Sequence, residues 1–335
     1  MSVREALVKH LSTILRSSKA TLLVLLSDES GLSIARIGRS SDLDLDANAI
    51  TSVSAAAFSS SEENWADLNI QDQIIAFSFF EKICLITIRV SNTLLTIVHD
   101  YNQEWPLVAD NIGSCVYNLR KELNKFFGEN ESETDADIET FSNNVRSAIY
   151  LFGMGTEIPF ASYTPENSAE LDVMQNISSI LDSTQNPVLS IYSLTTPGGL
   201  TIDEKDAGLI RIPISNDAFS ANANVAFQKM IEEAGSLNAG SLLSYVCISG
   251  DNPDAFHGIL AAPSGKIIFS EEHTDATSMQ NISFITLFPL TYGAIPVLGE
   301  ARNIVYSILE VIGTDKTAEA FIDSVNSLSA AKYSE

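Results

Sequence analysis

Residues that could do chemistry are few in this chain, and each falls short of a working pattern. Ser264-Gly265-Lys266 ends like a phosphate loop, in which backbone N–H groups cradle phosphates and the lysine reaches the terminal ones. However, Leu260 stands where the loop needs its first glycine, and Ile267 replaces the Ser or Thr that would bind magnesium. A turn between strands is expected there, and the chain is not expected to be a GTPase itself. Gly153-Met154-Gly155 has Ile158 where a dinucleotide fingerprint needs its third glycine, and it falls between two apolar runs. His99-Asp100 has the composition of a base with its orienting carboxylate, but it reads as a strand end at the surface. His10, His99, His257 and His273 make no ligand spacing with each other or with a cysteine. Cys84, Cys115 and Cys247 lie in apolar runs, as small buried hydrophobes of a reducing compartment do. The acid pairs Glu62-Glu63, Glu232-Glu233 and Glu271-Glu272 read as solvated faces. Asn130, Asn176 and Asn281 open glycosylation triplets that mean little without a secretory signal. No catalytic residue, metal site or cofactor is expected.

What these elements position must therefore be a surface. The 335 residues exceed one ordinary core and predict two domains. Hydrophobic residues at 45% and charged residues at 19% describe an ordered globular chain. A net charge of −24 repels phosphate backbones and anionic membranes, so nucleic acid is excluded as a partner. The start, MSVREALVKHL, interleaves charges like an amphipathic helix and is read as no signal peptide, which predicts a cytoplasmic protein. Residues 276–299 lack charge, but Pro289, Pro296 and several polar residues interrupt them. Buried strands are expected there, not a membrane span.

A stretch of the chain is written twice. LSTILRSSKATLLVLLSDESGLSIA (11–35) matches ISSILDSTQNPVLSIYSLTTPGGLTID (177–203) as helix end, apolar strand, glycine turn and second strand. Ile14, Leu15, Ser17 and Leu23 answer to Ile180, Leu181, Ser183 and Leu189 at an offset of 166 (180 − 14). After two inserted residues, Leu32 and Ile34 answer to Leu200 and Ile202 at 168 (200 − 32). Such self-similarity signals a repeated structural unit.

Periodicity extends the first copy. Leu7, Leu11, Ile14 and Leu15 form a helical stripe. TLLVLLSD and LSIARIG form a hairpin around Asp28-Glu29-Ser30-Gly31. The small-residue segment 46–59 forms a middle helix, and QIIAFSFF, ICLITIRV and NTLLTIVHD form three short antiparallel strands. Residues 105–127 close the unit as a long helix. The order α-β-β-α-β-β-β-α, with the helix leading into ATLLVLLSDESGLSIARIG, the middle helix AITSVSAAAFS and the triplet ending TLLTIVHD, resembles the roadblock/LC7 family over residues 3–127.

That resemblance implies an α/β (α+β) fold of tandem roadblock/longin-like domains, each a five-stranded antiparallel sheet flanked by helices. It also implies pairing through the middle helix and the adjacent strand, and members that scaffold or regulate Ras-like small GTPases. Boundaries of 1–128, 129–145 and 146–335 are expected. The middle segment, ENESETDADIE and its neighbours, reads as an acidic linker because like charges extend a chain. Residues 147–163 read as an added hairpin, followed by a helix from about 167, the duplicated stretch, LIRIPIS as a strand, a helix over 218–235 and four strand candidates. LGEARNIVYSILEVIG and a terminal helix over 316–330 complete the half. Parsed from Asn167, the half resembles roadblock again; parsed from Ser147, it resembles a longin domain.

The candidate interface is the middle-helix stripe Asn48, Ser52, Ala55 and Ser59, which has shed long charged side chains, with Gln73, Ile75 and Phe77 of the following strand. The expected function is a non-enzymatic scaffold or regulator of a small Ras-like GTPase. Its two domains would form a pseudo-dimer within one chain, with self-association through these domains open and no direct membrane insertion. The rival is a small-molecule or signal-sensing module, with NISFITLFPLTYGAIPVLG as apolar lining.

Overall fold

The computed structural model describes residues 2–40, 44–103, 108–127, 133–165, 168, 170–184, 188–270 and 277–332. The first series of elements is α1 (Val3–Ser17), β1 (Thr21–Asp28), β2 (Ser33–Gly38), α2 (Ala47–Leu68), β3 (Gln73–Phe80), β4 (Cys84–Val90), β5 (Thr93–His99), α3 (Ala109–Phe127) and α4 (Asp135–Phe152). The second is α5 (Val173–Ser183), β6 (Ile191–Thr195), β7 (Thr201–Asp206), α6 (Asn216–Ala234), β8 (Leu242–Ser249), β9 (His257–Ser270), β10 (Thr277–Pro289), α7 (Ala294–Ile312) and α8 (Lys316–Lys332). Apart from two short 3-10 turns, both series read α-β-β-α-β-β-β-α-α. This is the parse that begins near residue 167; the parse from Ser147 fails because residues 147–152 are helical.

Local chemistry explains the repeated starts. Ser2 caps α1 in a capping box with Glu5, and Asp172 caps α5 in one with Gln175, so orphan N–H groups at both ends are satisfied. The matched pairs Ile14 and Leu15, and Ile180 and Leu181, are all buried. Leu32 and Leu200, also a matched pair, are both exposed, at 70% and 62%.

The acidic stretch is where the expectation differs most from the structure. Residues 129–132 lie outside the described residues, but 135–145 belong to helix α4 and not to an extended linker. Thr134 and Asp137 form a capping box, and Asp135 and Asp137 sit in the first turn. Acids there complement the helix dipole instead of straightening the chain. The expected hairpin over 147–163 is likewise absent. Its first residues end α4 because Val145, Ala148, Ile149 and Phe152 recur at helical spacing and are buried. Residues 153–165 then run without regular structure along α7. The Arg302 guanidinium donates to the Ile158 carbonyl at 2.7 Å, the Asn303 amide to the Pro159 carbonyl at 3.0 Å, and the Tyr163 N–H to Ser307 Oγ at 2.7 Å. These bonds give partners to buried polar groups of α7. α4 and α8 occupy the same place in the two series, so the terminal helix is part of the repeat.

Two smaller differences follow from strand economy. LIRIPIS forms no strand, because β7 already fills the slot that β2 fills in the first series. The expected separate strands FHGILAAP and KIIFSEE merge into one strand, β9, as far as Ser270, with Glu271 and Glu272 outside the described residues; Ser264-Gly265-Lys266 is a bulge inside it, with the register shifting opposite Ile282 and Ser283 and Gly265 at φ +114°.

The ten strands form one sheet in the order β2-β1-β5-β4-β3-β8-β9-β10-β6-β7, antiparallel at every step. Two five-stranded sets therefore join edge to edge through β3 and β8. On one face, α2 and α6 pack over a core that includes Leu25, Phe58, Trp65, Phe227 and Tyr245. The other helices of the described residues cover the opposite face, over Leu7, Leu119, Phe152, Ile180, Ile304 and Phe321. Among the described residues, no helix is long and apolar enough to cross a membrane.

Candidate protein interface

The strand QIIAFSFF, apolar at nearly every position, is fully buried, and its predicted edge is paired. Ile75 lies opposite Ile248, Phe77 opposite Val246, Phe79 opposite Ser244 and Gln73 opposite Ser249. The Phe77 and Val246 pair is separated by 169 (246 − 77), the same offset that separates the first residues of β3 and β8 (242 − 73) and of α2 and α6 (216 − 47). Equivalent residues of the two series thus face each other, as they would across a two-fold axis normal to the sheet.

Gln73, Ile75 and Phe77 all reach this seam, but not on one face. A register irregularity between Gln73 and Ile75 turns Gln73 toward α2, where its Oε1 accepts from Trp65 Nε1 at 3.0 Å. Ile75 and Phe77 point to the other face, where the Phe152 ring stacks on Phe77 with centroids 4.0 Å apart. On the α2 side, Tyr245 of β8 crosses the seam, its hydroxyl 2.6 Å from Ser61 Oγ. Burial pushes the Tyr245 phenol well above its ordinary range, so it stays protonated and able to donate. Tyr245→Phe should cost about 1 kcal/mol in a denaturant titration, because Ser61 Oγ keeps the Ala57 and Phe58 carbonyls as acceptors.

The stripe Asn48, Ser52, Ala55 and Ser59 lies elsewhere on α2. Contacts across the seam come from Ala57 and Ser61 to Tyr245 and from Asp67 to Asn222 of α6 at 3.1 Å. Asn48, Ser52 and Ser59 are exposed, whereas Ala55 is 4% exposed and belongs to the core. At 100° per residue, the exposed three lie on the far side of α2 from the Ala57, Ser61 and Asn64 stripe. Ser52 is brought against Gly31 of the β1–β2 turn: a Cβ on Gly31, at φ +86°, would come within 2.8 Å of Ser52 Cα. The second series repeats this device, with Gly199 at φ +80° against Ala221 of α6. Each turn then presents its leucine, Leu32 or Leu200, to solvent beside the middle helix. Sequence reasoning noted both leucines as repeat markers and missed their exposure; an apolar residue after each turn glycine was the signal.

Electrostatics stiffens the first of these turns. Arg89 of β4 reaches Glu62 of α2 at 2.6 Å and Glu29 of the turn at 2.5 Å, and lies over the Phe58 ring. Desolvation raises the Glu62 carboxyl, with Arg89 opposing it.

Of the other residues considered for chemistry, Asn130, Glu271, Glu272 and His273 lie outside the described residues. All three cysteines are buried, and burial pushes the Cys115 and Cys247 thiols up to about 12 and Cys84 well above its ordinary range. They should resist iodoacetamide in the native protein at pH 8 and react in denaturant, checked by intact mass. His99 is buried, not at the surface as expected. Among the described residues, no group of three or more His, Cys, Asp or Glu could hold a metal ion. A cavity of about 540 Å³ beside the end of α6 is lined by Gln228, Ile231, Asn281 and Ile282, while most of the apolar segment expected to line a pocket is core.

No family model matches the chain, and no curated protein matches it in sequence. A segment of it is similar in structure to two MglB proteins. The gliding protein MglB from Thermus thermophilus is 16% identical, with 37% of this chain and 93% of that one covered and a TM-score of 0.34. MglB from Myxococcus xanthus is 20% identical, with 35% and 97% covered and a TM-score of 0.31.

Proposed function

We propose that this chain is a non-enzymatic scaffold or regulator of a small Ras-like GTPase, and that the GTPase docks on the platform made by α2 and α6. The observation that carries this reading is the placement of the two middle helices side by side on one face of a continuous sheet. The roadblock resemblance of residues 3–127 assigns that arrangement to a pair of domains, and here each half supplies one member. Covalent linkage removes the association cost that separate subunits would bear. The platform is bordered by apolar groups that the fold leaves uncovered: Leu32 and Leu200 on the turns, and Val225 on α6 at 56% exposure.

Affinity-tagged full-length protein, incubated with source lysate supplemented with GTP or GDP, should recover a small GTPase in a nucleotide-dependent manner. Ser52→Arg combined with Val225→Arg should reduce that recovery at least about tenfold with the fold intact by circular dichroism. Recovery independent of nucleotide and of both substitutions would sink the reading, and a co-purifying small molecule in the cavity beside α6 would favour the sensing alternative.

A further inference from the structure

The approximate two-fold that relates the halves is obeyed by the fold and broken by the charge. Among the described residues the sheet has two free edges, β2 with α1 beside it and β7 with α5 beside it. The first edge carries Arg4, Lys9, Arg16, Lys19, Arg36 and Arg39, against Glu5 on α1 and Asp42, Asp44 and Asp46 in the sequence that follows β2. The second carries Asp172, Asp182, Asp203, Glu204 and Asp206, with Lys205 as the base, and Lys205 is paired to Asp182. In a chain of net charge −24, one edge is basic and its symmetry mate is acidic.

We infer that the occupant of each edge is a second copy of this chain, with β2 of one molecule adding to β7 of the next so that the sheets continue head to tail. Three observations lead there. Strand direction alternates through the ten-stranded order, so β2 and β7 run oppositely and a copy displaced along the sheet meets its neighbour antiparallel. Its α2 and α6 platform then stays on the same face. Side-chain direction agrees as well: Arg36 is opposite Leu25 on the platform face, while Glu204 and Asp206 are opposite Ser193 and Ile191 on that same face. Glu204 Oε2 is buried without a hydrogen-bond partner, and among the described residues Arg36 makes no ion pair. The half-buried Glu204 side chain and the exposed Arg36 side chain, neither in an ion pair among the described residues, thus lie on edges that can meet.

The same charges select the geometry. Pairing β2 with β2 sets Arg36 near its own copy, and pairing β7 with β7 opposes two acidic strands, so both closed dimers are disfavoured. The heterologous contact uses one edge of each molecule and leaves the other free, which generates an open array rather than a ring-closed pair. Net charge opposes such assembly over long distances, and salt near 0.15 M, with a Debye length of about 8 Å, screens that repulsion more than the facing pairs. This assembly uses no part of the GTPase platform and does not depend on that reading.

Sedimentation velocity of the full chain over a wide concentration range tests it. The wild type should form a concentration-dependent series beyond a dimer in 0.15 M salt. Arg36→Glu and Glu204→Arg should each weaken self-association about tenfold or more, because each sets like charges across the junction. The double exchange in one chain, Arg36→Glu with Glu204→Arg, should restore it. A wild type that stays monomeric, single variants that associate unchanged, or a double variant that fails to recover while retaining native circular dichroism would each overturn the proposal.

Discussion

Phe152→Ala is expected to lower the stability of the whole chain by about 3–5 kcal/mol, the range for deleting a buried phenylalanine from a packed core. Phe152 is fully buried at the end of α4. Its ring stacks on Phe77 and lies 6.0 Å from Phe79, so it covers the face of β3 at the point where the two halves of the sheet meet. The substitution removes that cover without touching the backbone ladder between β3 and β8. With domain stabilities of about 5–15 kcal/mol, such a loss is a large fraction of the total. Urea unfolding followed by far-UV circular dichroism should show one transition displaced to lower urea. A shift worth less than about 1 kcal/mol would mean that α4 is not part of the cooperative core.

Trp65→Ala should cost a similar amount from the opposite face, again about 3–5 kcal/mol. Trp65 is 1% exposed, and it anchors α2 to the seam both by packing and through its bond to Gln73. Its loss strands the Gln73 carbonyl, itself in a side chain only 2% exposed, and an unsatisfied buried acceptor adds about 1–3 kcal/mol. Trp65→Phe separates the two contributions, since it keeps most of the packing and should lose only the hydrogen-bond part. If the platform reading holds, Trp65→Ala should also weaken GTPase recovery, because α2 loses its fixed position relative to α6. Because Phe152 and Trp65 grip the same strand from its two faces, the double variant should depart from additivity, and a double-mutant cycle measures that coupling.

Much of this fold was legible because its signals are local. The hairpins around Gly31 and Gly199, the three strands after α2, and the helical stripes of α1 and α3 follow from turn chemistry and periodicities of two and 3.6 residues. The apolarity of most of Gln73 to Phe80 marked a strand edge in need of a partner. α4 was hidden because charge density masks its caps: Thr134 with Asp137 starts a helix, and the acids that would extend a free chain sit at the favourable pole of the dipole. Gln73, Ile75 and Phe77 lie on the strand that pairs with β8, whereas Asn48, Ser52 and Ser59 lie on the side of α2 away from Tyr245. Sequence alone does not say which side of a small-residue helix faces its neighbour, and in this chain Ala57 and Ser61 do so.

What the sequence by itself determined is the doubled unit around residues 11–35 and 177–203: helix end, apolar strand, turn glycine and second strand. Those are written in side-chain type and spacing within short windows. Only the tertiary structure decided that β3 pairs with β8 of the same chain, that α4 and α8 complete the two copies, and that the two free edges carry opposite charge. Strand edges join through backbone N–H and C=O groups that nearly every residue possesses, so the identity of an edge's partner leaves little local mark. Long-range placement, not composition, settles it.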